Sequence, residues 1–289
     1  MDIKIKIDLI NDLKIKMFKN VENLNVKLDI EKLSDWDFIY KHQYLMKRFI
    51  IQKPRNVHFS KEFLIEKRFK KIVDNIVYDL EKGNDLTPYI SKRIEKLDFI
   101  DKMLNDWDVH HFHLGDCHEE DTNYIIRTNE LLFARITDDD VYMIGIYKHG
   151  DLYKQEILRV IHANWSDTLV DYKLFGINGS DLTDKEIKSF RRNNVCYALN
   201  MDDDTVYAPL GGGYTSSGHN LKVLIDVDRV TKMLREIETF VKSNGQLFLD
   251  EIENRSNTKV SYLEFELIDF PNPLLLLEKN SGITFNIMD

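Results

Sequence analysis

The chain has few of the residues that mark several classes of protein. Only 2 of its 289 residues are cysteine, which excludes a disulfide framework or a cysteine-rich zinc site and is typical of a reducing cytosol. With 12 glycines, 5 prolines and 43% hydrophobic residues, it is neither collagen-like nor disordered. Its apolar runs are far shorter than the roughly 18 residues of a membrane span, and its first residues alternate in polarity, unlike a signal peptide. We therefore expect a cytoplasmic protein with no membrane partner.

The net charge is −9, and it is unevenly distributed along the chain. Residues 1–100 contain 21 basic and 16 acidic side chains, whereas residues 101–289 contain 19 and 33. Because phosphate contacts need cations, the acidic majority argues against non-specific nucleic-acid binding by the whole molecule. The mildly basic first third is suited either to contact with phosphate or to a solvated helix surface.

The hydrophobic patterns predict an α+β fold. Alternation of apolar residues, from Ile3 to Leu28, predicts a three-stranded antiparallel meander, and apolar stripes with a helical period follow it. The predicted regions are an N-terminal β-meander (1–30), a helical region (31–104), an α+β module of antiparallel sheet and helix (105–178), and a C-terminal α+β region with one long helix, at about 227–254 (179–289).

The third region contains the clearest strand signals. Two runs rich in β-branched and aromatic residues, 131–136 and 141–147, are joined by three consecutive aspartates, and this pattern predicts a hairpin. A short strand is predicted at 109–114, and a helix at about 151–165 completes the module.

Six of the nine histidines lie between residues 110 and 162. On a strand, alternate residues share a face, so His111 and His113 are predicted to point together, away from the apolar Phe112. Histidine exchanges protons near neutral pH. Two histidines on one face are also suited to a zinc or manganese ion, for which the third ligand could be Asp116, His118, Glu119 or Asp121. A third interpretation is that these histidines are close together for structural reasons or by chance and have no functional role.

Two further segments offer functional groups. The end of the second hairpin strand provides Tyr147, Lys148, His149 and Tyr153, a set with an acid or base, phenols and a cation, although a polar turn explains the same residues. The glycine-rich segment 211–218 is suited to cradling an anion, although it lacks the lysine of a P-loop and also fits a plain loop.

The hairpin and its flanks resemble a known family. The run from Leu131 to Tyr153 is similar to the C-terminal hairpin of the RelE/ParE toxin superfamily: a strand with an arginine, an acidic turn, and a second strand with a terminal histidine. Its ending, His149-Gly150-Asp151-Leu152-Tyr153, is most similar to the YafQ branch, and His113-Leu114-Gly115 resembles the turn before the hairpin. The resemblance covers about residues 105–155.

The resemblance implies messenger-RNA cleavage without a metal or other cofactor, by attack of a 2′-hydroxyl on the adjacent phosphate. His149 would then be the acid or base, Arg135 would stabilise the phosphorane, His113 would be the second proton-transfer group, and Lys148 would contact the phosphate. Implied partners are RNA and either an antitoxin or a second copy of the chain.

Three functional hypotheses follow from the sequence. The first is an RNA endonuclease of a bacterial toxin–antitoxin or phage-defence system. The second is a metal-dependent nuclease or phosphodiesterase that uses the cluster around His111 and His113. The third is a non-catalytic module that binds a protein partner through its sheet. The substrate sequence, the oligomeric state and the role of the last third stay open at this point.

Overall fold

The computed structural model describes residues 3–22, 33–256 and 259–287. These residues form both helices and β-sheets, so the predicted α+β class is confirmed. Within the same ranges, no helix combines the length and the apolar character that crossing a bilayer requires.

The chain forms two compact units. Residues 1–43 and 225–289 make up a discontinuous unit, and residues 44–224 make up a central unit. The domain boundaries predicted near residues 30, 105 and 178 do not coincide with this division, because a strand near the N-terminus pairs with one near the C-terminus.

The helices and strands have the following bounds in chain order. The helices are α1 (Leu9–Glu22), α2 (Asp35–Arg48), α3 (Lys70–Lys82), α4 (Lys102–Trp107), α5 (Glu156–Trp165), α6 (Asp184–Arg192), α7 (Leu221–Ser243) and α8 (Gly245–Ser256). The strands are β1 (Ile5–Lys6), β2 (Asn56–Phe59), β3 (Val109–His113), β4 (Glu130–Ile136), β5 (Asp140–Lys148), β6 (Leu199–Asn200), β7 (Val206–Tyr207), β8 (Leu263–Asp269), β9 (Leu275–Glu278) and β10 (Ile283–Asn286).

The discontinuous unit contains a four-stranded sheet in the order β1-β8-β9-β10, with β1 parallel to β8 and the other pairs antiparallel. Its core includes edge-to-face contacts among Phe248 of α8, Phe265 of β8 and Phe285 of β10, with ring centroids 5.1 to 6.0 Å apart. Such aromatic contacts stabilise a core beyond the area that they bury.

The predicted N-terminal meander is wrong where the structure describes it. Only Ile5–Lys6 is a strand, and the segment that follows is helix α1. The buried residues of α1 recur every four positions, at Leu9, Leu13, Met17 and Val21, whereas Ile15 is 49% exposed. Burial therefore follows a helical period rather than the strand period of two. The third predicted strand falls on residues 23–30, outside the described residues.

The central unit is built on a sheet in the order β2-β5-β4-β3. The predicted β4–β5 hairpin is present and antiparallel, β3 pairs with β4, and β2 adds to β5 in parallel. One face, with Val109 and Phe133, packs in a core with Ile157 and Ile161 of α5. The opposite face, with Phe112 among its residues, packs in a core with α3. The sheet is therefore covered on both sides.

Two other helix predictions need correction. The region 31–104, predicted to be helical, is not helical throughout: between α2 and α3 it includes strand β2, and the segment 87–95 forms two 3₁₀ turns. The long C-terminal helix is two helices, because α7 ends at Ser243 and α8 begins at Gly245. Asn244 separates them, and its side chain donates a hydrogen bond to the Phe240 carbonyl, 2.8 Å away.

Candidate active site

A cleft of about 510 Å³ in the central unit brings together four of the seven predicted catalytic residues. These are His111 and His113 from β3, His149 from the turn after β5, and Tyr153 just beyond that turn. We call this feature the histidine cleft. Strand ends and the turns that follow them hold side chains firmly while leaving them accessible, which suits a reactive site.

The register of β3 against β4 places the histidine pair. His111 lies opposite Phe133 and His113 lies opposite Leu131, so both imidazoles project from the same face of the sheet. The rings are largely buried, since the His111 side chain is 13% exposed and His113 is 7% exposed. The two histidines are therefore largely buried residues in the lining of the cleft.

His149 joins the pair because the chain turns sharply after β5. Its backbone N–H donates to the Asn129 carbonyl at 2.7 Å, and the Lys148 N–H donates to the Asp151 carboxylate at 3.1 Å. These two hydrogen bonds fix a short 3₁₀ turn from His149 to Asp151. His149 is the most exposed of the three imidazoles.

Burial and positive neighbours act on the proton affinity of this cluster. Burial, with smaller contributions from His111, Arg127 and His149, lowers the pKa of His113 to about 4. The pKa of His149 is also lowered, first by burial and then by His111, Arg127 and Arg93. Both rings are therefore mainly neutral at pH 7 and able to accept a proton.

Three arginines line the cleft, and Arg191 is the one whose charge is paired, with Asp106. Arg93 and Arg127 are the other two, and neither guanidinium has an ion pair or a hydrogen bond with another residue described by the structure. Lys102 also lines the cleft, but its ammonium donates to the carbonyl of Arg191 at 2.6 Å and to the side chain of Asn194 at 3.0 Å. Arg93 and Arg127, and not the lysine, are thus available to an anion.

Asp101 is the carboxylate closest to the histidine pair. Its Oδ1 accepts hydrogen bonds from the backbone N–H groups of Met103 and Leu104, which caps α4. Its Oδ2 lies 3.9 Å from Nδ1 of His111. At this distance the carboxylate is a charged neighbour of the ring and not its hydrogen-bond partner.

A buried ion pair lies beside the cleft. Arg191 of α6 donates through Nε to Asp106 of α4, and each side chain is 1% exposed. The hydroxyl of Tyr197 donates to the same carboxylate, and the guanidinium lies 3.8 Å from the ring centroid of Trp107. This network joins α4 to α6 and supports the wall of the cleft.

Arg135, predicted to stabilise the phosphorane, lies outside the cleft. It is opposite Val109 in the sheet, whereas Lys148, just before His149, is opposite Glu130. Five strand positions separate Arg135 from Glu130, which corresponds to about 17 Å. The arginine is 4% exposed, with Nε 3.9 Å from the Asp108 carboxylate. Its charge therefore acts at the opposite end of the sheet from His149.

Tyr147 and Lys148 are also outside the cleft. The Tyr147 ring stacks on Phe133 with centroids 5.1 Å apart, and burial raises the pKa of its phenol to about 12. Lys148 is exposed and does not line the cleft. Strand alternation points Lys148 to the face opposite the histidine pair, whereas Tyr147 shares the face of the pair and is taken up by packing on Phe133.

The predicted metal set does not assemble. Across the described ranges, no three histidine, cysteine, aspartate or glutamate side chains converge closely enough to hold a metal ion. Asp116 and His118 are exposed in the loop after β3, where Nδ1 of His118 lies 3.0 Å from the Asn123 carbonyl. The histidine pair thus lacks the third ligand that the metal hypothesis requires.

The glycine-rich segment 211–218 has a packing role. The N–H of Gly211 donates to the Asp106 carbonyl at 3.2 Å, and the N–H of Gly213 donates to the Asn105 carbonyl at 2.8 Å. A Cβ atom at Gly211 would lie 1.9 Å from the Leu104 carbonyl oxygen, so only glycine fits there. These N–H groups bind α4 and are not free to cradle an anion.

Among the charged residues that line the cleft, Arg93, Arg127 and Asp101 were not predicted from the sequence. Arg127 could have been identified from the sequence, because it is the single lysine or arginine between Lys102 and Arg135 in an acidic stretch. Arg93 and Asp101 could not have been identified in this way, since other charged residues surround each of them in the sequence.

The cleft combines three imidazoles, two unpaired guanidiniums and one fixed carboxylate, a set suited to binding a phosphate group and moving protons on and off it. No family model matches the chain, and neither the curated proteins nor the solved structures contain a significant match to it.

Proposed function

We propose that the protein is a metal-independent ribonuclease whose active site is the histidine cleft. The observation that carries this proposal is the convergence of His113, His149 and two unpaired arginines in one cleft. RNA contains its own nucleophile, the 2′-hydroxyl, so cleavage requires a base, an acid and stabilisation of charge. The cleft contains side chains able to supply all three.

The reaction proceeds by proton transfer at two atoms. His113 accepts the proton of the 2′-hydroxyl, the 2′-oxygen attacks the adjacent phosphorus, and the bond from phosphorus to the 5′-oxygen breaks. His149 donates a proton to the departing 5′-oxygen. The products are a 2′,3′-cyclic phosphate and a 5′-hydroxyl end. Arg93 and Arg127 stabilise the charge that develops on the phosphorane oxygens.

The roles follow from burial. His113 is the deeper ring and its pKa is lowered to about 4, so it is neutral and ready to act as the base. His149 is the more exposed ring and lies beside the cleft entrance, where a bound phosphate anion raises its pKa and favours the imidazolium that the acid step needs. Asp101 takes no part in proton transfer in this scheme, because its Oδ1 caps α4 and its Oδ2 lies near His111, which is neither the base nor the acid.

The test is cleavage of a labelled single-stranded RNA by the purified full-length protein in the presence of EDTA. We expect 2′,3′-cyclic phosphate ends, and we expect His149→Ala to lower the rate by about 10²- to 10⁴-fold, the usual contribution of a general acid or base. His118→Ala is the matched control, because His118 is an exposed histidine outside the cleft.

Equal rates for wild type and His149→Ala, or cleavage that EDTA abolishes, would contradict the proposed chemistry. Intact RNA in every reaction would reject the ribonuclease proposal and favour the non-catalytic module.

In a cell, we propose a cytoplasmic toxin or phage-defence role with RNA as substrate and an antitoxin-like protein as partner. Induction of the wild type in bacteria should then arrest growth and break RNA, whereas induction of His149→Ala should do neither. Equal growth of the two cultures would remove the support for this role.

A further inference from the structure

The charges around the histidine cleft are distributed in an unusual way for an enzyme that acts on a polyanion. Residues 105–165 carry five basic and twelve acidic side chains. Of the basic ones, Arg127 lines the cleft, and Arg135 is buried at the far end of the sheet. Arg127 is therefore the one basic residue of this acidic segment that lines the cleft, and Arg93 joins it from another part of the central unit.

An acidic hairpin adjoins the cleft. The segment 116–121 contains four carboxylates and follows β3 directly. The N–H of Ile126 donates to the Cys117 carbonyl at 2.8 Å, and the N–H of Glu119 donates to the Tyr124 carbonyl at 2.8 Å, so the hairpin returns the chain to Arg127. A long RNA that continued past the cleft on this side would meet negative charge.

The depth of the histidines limits which phosphate can reach them. Nδ1 of His111 and Nδ1 of His113 are inaccessible to solvent and have no hydrogen-bond partner among the described residues. A phosphate in a regular duplex is held at the helix surface and cannot enter such a cleft. A phosphate in a single strand can, because its neighbouring nucleotides can unstack.

The same cleft offers apolar surface next to the charges. Phe99, Ile100, Leu152 and Tyr153 line it together with the histidines. Nucleobases stack on aromatic rings without strong sequence preference. A cleft of about 510 Å³ lies within the usual range for small-molecule sites. It has room for a small number of nucleotides.

We infer that the substrate is a short single-stranded segment, an oligonucleotide or a chain end, that the protein engages through about two phosphates. Resting on the proposed function, this inference adds the substrate class: the protein selects flexible short strands and gains no affinity from RNA beyond the cleft. Arg93 and Arg127 are the two cations that contact the phosphates.

Salt dependence measures the number of phosphates engaged. For single strands, the logarithm of the association constant falls by about 0.7 per phosphate for each tenfold rise in salt. Two contacts therefore predict a slope of about −1.4, whereas a protein that holds 6 to 10 phosphates gives about −4 to −7.

The experiment measures binding of fluorescent RNA to the full-length His149→Ala variant, which retains both arginines and should leave the RNA intact. A tetranucleotide, a 30-nucleotide single strand and a 30-base-pair duplex are compared between 50 and 200 mM salt. We expect the two single strands to bind equally well once the larger number of binding positions on the longer strand is taken into account. The duplex should bind at least tenfold more weakly. The logarithm of the association constant against the logarithm of the salt concentration should have a slope near −1.4. Arg127→Gln should halve the slope, and Lys148→Gln, which removes an exposed cation outside the cleft, should not change it.

A slope of −4 or steeper, or duplex binding as tight as single-strand binding, would overturn the inference. If such a result accompanied RNA cleavage by the wild type, the proposed function would stand and the substrate class would be wrong. If the salt slope were near −1.4 but the wild type did not cleave RNA, the binding site would be supported and the ribonuclease proposal would be rejected. Absence of binding at every length would reject both.

Discussion

Replacing Asp106 by asparagine should strongly destabilise the central unit. The carboxylate of Asp106 is the counter-charge of Arg191, and both side chains are 1% exposed. Asparagine has nearly the same shape and keeps one oxygen that can accept from the Tyr197 hydroxyl, so the substitution removes the charge with little change in packing. The guanidinium is then left buried without its counter-charge, between the Trp107 and Tyr153 rings and beside the Leu152 carbonyl.

The expected cost is about 3–5 kcal/mol, the usual effect of removing one partner of a buried ion pair. For a unit of this size, each kcal/mol lowers Tm by about 2–4 °C, so Tm should fall by about 6–20 °C. The double variant Asp106→Leu, Arg191→Met removes both charges and should cost less than Asp106→Asn alone. In a double-mutant cycle, the coupling between the two positions should exceed about 2 kcal/mol.

Urea unfolding followed by tryptophan fluorescence measures these free energies, because Trp107 lies against the guanidinium and reports its environment. Exposed Asp202→Asn, which loses an ion pair with Arg159 at the surface, is the control and should cost less than about 1 kcal/mol. A loss below 1 kcal/mol for Asp106→Asn, with an unchanged m-value, would refute the reasoning.

Two other predictions concern pH and packing. For RNA cleavage, kcat/KM should rise with pH through the pKa of the base His113, about 4, and should fall again as pH passes the pKa of the acid His149, which burial and positive neighbours hold below 6.5. A pH–rate profile with its maximum above pH 7 would contradict the assigned roles. Gly211→Ala should destabilise the protein by more than about 2 kcal/mol, because its Cβ would lie 1.9 Å from the Leu104 carbonyl oxygen. Gly150→Ala has open space around it and should change the melting temperature little, so equal melting temperatures for the two variants would argue against this packing.

The features that the sequence predicted best are those determined by residues close together in the chain. The β4–β5 hairpin was predicted within one residue at each end, because its apolar strands and acidic turn leave no competing structure. The shared face of His111 and His113 followed from strand alternation alone. These features depend on neighbours that are close in the chain, which a single sequence records.

Other features depend on partners that are distant in the chain. In α1, the apolar residues satisfy both a period of two and a period near four, and packing against β8 decides between them. The proximity of Arg93 and Arg127 to His149 joins three segments, and no local pattern marks such a meeting. For Arg135 the prediction failed in the other direction. It was assigned to the site because it matched a family motif, but it lies at the end of β4 that is far from His149.

The pairing of β1 with β8 constrains how the protein is made. Ile5 pairs with Leu263, so after β1 has been synthesised, 258 further residues must be added before its partner exists. At about 5–20 residues per second, this wait lasts roughly 13–50 s. Meanwhile the apolar face of α1 has no strand β8 to cover it, although the whole central unit has already been synthesised. The discontinuous unit therefore completes only after the central unit has been synthesised, and α1 stays open to chaperones and proteases during that interval.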